Sequence, residues 1–134
     1  MLGTAPTIVR LSLHVTAAAV WVGGQLTLGG LVPTLRRAAP EATAAVARQF
    51  ARLAWPAYVV LLGTGIWNVS ASDPSRQTGA WKAVLSAKIV VAVLAGVAAF
   101  AHQRVTGRRG IAIWGALAGL SSLSALVVGV ALSG

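Results

Sequence analysis

An all-α integral membrane protein, built as a four-helix up-down bundle, is the fold class this sequence predicts, and three observations predict it. The chain is 134 residues long, 57% hydrophobic and only 10% charged. Its mean hydropathy is +0.79, too apolar for an ordinary soluble domain. Four apolar stretches, 7–32, 53–71, 81–102 and 111–133, each reach the ~20 residues a helix needs to cross the hydrocarbon. Short polar links join them, which makes successive spans antiparallel neighbours. The lipid bilayer is thus the expected surrounding, and residues 1–134 are expected to form a single transmembrane domain.

The first span is too long for a signal-peptide core, and no basic residue precedes Arg10, so it is read as retained. It holds the run LHVTAAAVWVGG, residues 13–24. His14, Ala18, Trp21 and Gln25 follow an i, i+4, i+7, i+11 spacing, which is one helical stripe. The first link carries Pro33, Arg36, Arg37, Pro40 and Glu41, then a helical approach, ATAAVARQFARLAW, with Arg48 and Arg52. At the entry to the second span, Pro56 removes a backbone donor and predicts a kink or a fresh helix start. Asp73, Pro74 and Gly79 supply turn residues to the second link.

In the third span, Lys88, Ala92, Ala95, Ala99 and His102 share one stripe. Such an alanine wall admits either a close helix neighbour or a flat cofactor. Gly107 and Gly110 read as breakers before the last span. That span carries Gly115-xxx-Gly119, Ser122 and Ala125-xxx-Gly129, a small-residue face suited to packing within the bundle, to a homodimer seam or to another membrane subunit. The serines of GLSSLSAL can bond within their own helix. Trp55, Trp81 and Trp114 stand near span ends as interfacial anchors, whereas Trp21 and Trp67 lie further in.

The formal charge of +9 arises from 11 Lys+Arg against Glu41 and Asp73. In a soluble chain that balance would point to nucleic acid. Here the membrane edges account for it, and no nucleic-acid partner is expected. Arg36, Arg37, Arg48, Arg52, Arg104, Arg108 and Arg109 fall in links one and three; Arg10, Arg76 and Lys82 fall on the other side. The positive-inside rule then puts links one and three in the cytoplasm and both termini outside the cell membrane. No cysteine is present, which excludes disulfides and thiolate metal sites, and the single methionine is Met1.

His14 and Lys88 each stand seven residues inside their spans from the outer side, a depth of about 10 Å. His102 lies fourteen residues past Lys88, roughly 20 Å deeper and near the cytoplasmic end. His14 and Lys88 are therefore expected to meet, and His102 to stand apart. Each has a plainer reading: a hydrogen-bonded packing histidine, a lysine snorkelling to the interface, an interfacial histidine. Equal depth favours a functional pair, because ionisable groups inside a membrane mark function by default. No acid lies in a span, so no acid pair and no Ser-His-Asp set forms there, and no phosphate loop is present.

These residues resemble the membrane family of the copper-resistance D (CopD) domain and the HemJ-type protoporphyrinogen IX oxidase. The likeness rests on LHVTAAAVWVGG, on the second-span pattern from Pro56 to Gly65-Ile66-Trp67, on GAWKAVLSAKIVV, and on the span exit FAHQR. The resemblance implies a haem b, with the first-span His and third-span Lys roles falling on His14 and Lys88. Under it, His14 would be an axial ligand and Lys88 a second ligand or a propionate partner. Trp21, Gln25, Ala92, Ala95 and Ala99 would line the cavity, and His102 would serve a second metal or haem. The alternatives are copper handling or transport, HemJ-like oxidation of protoporphyrinogen, and a structural subunit without cofactor. Copper favours Met, Cys or several His ligands, and this chain offers two separated histidines.

Overall fold

The computed structural model describes residues 3–132, and within them every regular element is helical. Four of the helical segments are long and apolar enough to cross a membrane: Ala5–Ala38, Pro40–Ala71, Gly79–Arg104 and Arg108–Ala131. The expected all-α class and the four spans are therefore present, and the chain is a multi-pass membrane protein. Each helix is longer than the apolar stretch that predicts it, because residues flanking the stretch continue the helix. The far end of the fourth expected stretch, Ser133, lies outside the described residues.

The distribution of side chains is that of a protein solvated by lipid. The buried apolar set is small: Ala17, Trp21, Val22, Ala54, Tyr58, Ala95, Ala98 and Ala118. Large aliphatic residues such as Val15, Val59, Ile66, Leu120 and Val130 face outward. In water such a surface would be an aggregation hazard; against acyl chains it is the compatible one.

By its contacts the chain divides into two compact units, Met1–Ser72 and Asp73–Gly134. The first unit pairs one interrupted helix with one continuous helix. Helix α1 (Ala5–Ala18) starts with Pro6 in its first turn, where a missing N–H costs nothing. A π-helical turn (Ala19–Gly23) follows, and then α2 (Gly24–Ala38), which runs through Pro33. The π turn adds a residue to the helix, and its Trp21 and Val22 are both buried.

Helix α3 (Thr43–Ala71) lies antiparallel to this segment. It takes in both the expected helical approach and the second span without a break at Pro56. The missing Pro56 donor is absorbed within a continuous helix rather than starting a new one. Trp55 therefore stands mid-helix, where it meets the edge of Trp21 at 5.6 Å between ring centroids. Trp67 is 43% exposed and one turn from the end of α3, which gives it the interfacial place its sequence position had left unexplained.

The second unit is a hairpin of α4 (Gly79–Arg104) and α5 (Arg108–Ala131). Before it, Asp73 adopts the left-handed conformation at φ 44° and pairs with Arg76 at 3.1 Å, ending the first unit in a tight turn. The Thr78 hydroxyl accepts a bond from the Trp81 N–H and caps α4. Gly107 flanks the start of α5 as expected, but Gly110 is inside the helix, its α-carbon facing Val105. A β-carbon on Gly115 would stand 3.0 Å from the His102 ring, whereas one on Gly119 would meet nothing within 4 Å. Gly115→Ala is therefore expected to destabilise the detergent-solubilised protein by about 1–3 kcal/mol, the usual cost of overpacking. Gly119→Ala should be neutral or slightly stabilising, since it only removes backbone freedom. Equal melting temperatures for the two variants would show that the His102 contact does not constrain the hairpin.

Candidate functional site

His14 is the tenth residue of α1 and is half-buried against α3. Its Nδ1 lies 2.8 Å from the Thr64 hydroxyl. The Thr64 hydroxyl donates its one proton to the carbonyl of Val60, at 2.7 Å. It therefore accepts from His14, and the imidazole Nδ1 carries a proton. In the neutral ring the lone pair is then on Nε2. Beside Thr64, Gly65 offers no side chain, and the His14 Cε1 comes within 3.7 Å of where a β-carbon would be. The ring is thus oriented by a buried hydroxyl on one side and accommodated by a glycine on the other.

Two turns further in, the Trp21 ring stacks on Tyr58 at 4.4 Å between centroids, tilted by 34°. Tyr58 also meets Trp55 edge to face at 5.8 Å. Trp21 is only 2% exposed, so in this unit it is a packing residue of an aromatic cluster. Gln25, in α2, is half-buried.

In the second unit, Lys88 is likewise the tenth residue of its helix. Its side chain extends across Gly129 of α5, with Nζ 2.9 Å from the position of a β-carbon there. At the other end of the stripe, His102 Nδ1 donates to the carbonyl of Ile111 at 2.8 Å, and its ring lies on Gly115. Both ends of the Lys88–His102 stripe therefore face α5. Ala92, Ala95 and Ala99 lie between them; Ala95 is buried, and Ala92 and Ala99 are half-buried. Within this hairpin the alanine wall serves a close helix neighbour. Gly115 and Gly129 receive side chains of α4, while Gly119 stays open.

Three residues of the first unit were not singled out from sequence. Thr64 is the partner of His14. Asn68, four residues on, has a buried Oδ1 without a hydrogen-bond partner, and Arg10, four residues before His14, has a buried Nε in the same condition. The available signal was the i, i+4 spacing of polar residues in both apolar runs: Arg10 with His14, and Thr64 with Asn68. Among the described residues, no three His, Cys, Asp or Glu side chains come together in a way that could hold a metal ion.

Compared with family models, with curated proteins and with solved structures, the chain finds no match in any of the three. The site is therefore argued from its own geometry.

Replacing Thr64 by Val keeps its shape and removes the acceptor. The His14 Nδ1–H is then left unpaired in an apolar setting, at a cost of about 1–3 kcal/mol. Thr64→Ser, which keeps the hydroxyl, should restore most of that stability. Unfolding of both variants in mixed micelles checks this; equal stability would show that the bond contributes nothing.

Proposed function

We propose that this chain is a small membrane haem-b protein, with His14 as an axial ligand of the iron. The observation that carries the reading is the chain of bonds from His14 Nδ1 through the Thr64 hydroxyl to the Val60 carbonyl. Histidines that bind metals characteristically donate the other ring nitrogen to a fixed acceptor, which sets the ring's orientation and raises its basicity. Thr64 gives His14 that arrangement, and the protonated Nδ1 assigns the ligating lone pair to Nε2.

The donor set also favours haem over a copper ion held by side chains. A porphyrin brings four nitrogens of its own and asks the protein for one or two ligands. A copper cage made only of side chains needs several, and the described residues gather no such group. Haem bound here would supply one-electron chemistry, with the identity and burial of the axial ligand setting its potential. The likeness of LHVTAAAVWVGG to the first span of the CopD and HemJ family supports the same reading. The arginine-rich links Arg36–Arg52 and Arg104–Arg109 are assigned to the cytoplasm and both termini to the outer side, on the positive-inside bias.

The visible spectrum of protein purified in detergent from haem-replete cells tests this. A Soret band is expected, and His14→Ala should abolish it. Thr64→Val should keep the ligand but weaken haem binding by about 10- to 100-fold, the usual loss when a ligand's orienting partner is removed. A colourless preparation, or one containing copper and no iron, overturns the proposal.

A further inference from the structure

The polar groups just outside His14 form a second feature of the first unit. Helices α1 and α3 are antiparallel, and His14 is bonded to Thr64. One turn toward the start of α1 stands Arg10; one turn toward the end of α3 stands Asn68. The register that joins His14 to Thr64 thus carries Arg10 and Asn68 to the next level outward, about 6 Å away along the helices. At that level the Arg10 Nε and the Asn68 Oδ1 are both buried, and neither has a hydrogen-bond partner. Buried polar atoms without partners are rare, and each calls for an explanation. A guanidinium inside a span is costlier still unless something compensates it.

We infer that Arg10 and Asn68 form a carboxylate clamp, and that its ligand is a propionate of the haem whose iron His14 holds. This rests on the haem reading of His14. The guanidinium is a fixed fork of donors matched to a carboxylate. The Asn68 amide presents an acceptor or, turned end for end, two donors, so the clamp serves a carboxylate or a carboxylic acid. The clamp would hold the polar edge of an otherwise apolar macrocycle at the level of Arg10 and Asn68, one turn from His14. The first unit supplies both contacts from two polar pairs spaced four residues apart on facing helices.

Equilibrium binding of haem b and of its dimethyl ester to the detergent-solubilised full chain tests the clamp. The ester keeps the iron and the ring but has no acidic group. The wild type is expected to bind haem b at least about tenfold more tightly than the ester, the factor one charge-assisted hydrogen bond supplies. In Arg10→Gln that preference should fall toward one, with the Soret band retained; Arg10→Lys should restore part of it. If the wild type binds both compounds equally, the clamp is overturned while His14 ligation stands. If it binds neither, both are overturned. The wild-type comparison needs no substitution, so a variant that fails to fold leaves the result intact.

Discussion

A hydrogen bond between two side chains, His14 to Thr64, is the interaction on which the first unit depends. Hydrocarbon gives no reward for burying one leucine against another, so helix pairing in a bilayer relies on packing and on polar groups that have no water to turn to. The imidazole and the hydroxyl satisfy each other, and in doing so they lock α1 to α3 in one register. The rest follows from that lock. Gly65 lies beside the ring, Trp21 meets Tyr58 further in, and Gly24 approaches the Phe50 ring so closely that any β-carbon there would collide with it. Arg10 and Asn68 are brought level, one turn from His14 and Thr64, by the same register.

The second unit obeys a different rule. Its helices come together through absent side chains rather than through a bonded pair. Gly115 and Gly129 are spaced along α5 as His102 and Lys88 are along α4, and each glycine receives one of these basic side chains. Ser122 and Ala118 are buried between those levels. A glycine–cation contact of this kind lets a long side chain lie along the neighbouring helix, with its aliphatic stem covered and its charged end carried toward the helix terminus. Lys88 extends over Gly129, two residues before the end of α5.

Much of this was legible in the sequence, because membrane thickness is a strict ruler. Composition alone announced the four spans and the all-helical class, and the turn residues Asp73, Pro74 and Gly107 announced two of the links. His14 stood out as an ionisable group in an apolar run. What sequence spacing could not reveal was the partner of each polar residue. Thr64 looks like any small residue of a membrane helix until its register against His14 is known, and register is a property of two helices together. Of the two outcomes Pro56 allowed, a kink or a fresh start, the helix shows no fresh start: α3 runs on through it. The stripe from Lys88 to His102 was correctly drawn on one face, but spacing cannot say whether that face meets a helix or a ligand. The helix itself breaks its regular period at Ala19–Gly23, which spacing alone does not announce.

That break has a consequence for how the first span tolerates change. A π turn contains one residue more than the α turn it replaces, and here the surplus is confined to Ala19–Gly23. The turn takes that residue up locally, so the segments before and after it keep the faces that a plain helix one residue shorter would give them. The span therefore carries a slack link between its histidine end and its arginine end. Losing one residue there would restore a plain α-helix and leave both halves facing as they do, whereas losing one elsewhere in the span would turn one half against the other by about 100°. A change of one residue in length is thus absorbed in this turn without touching the His14 contact or the facing of the inner half.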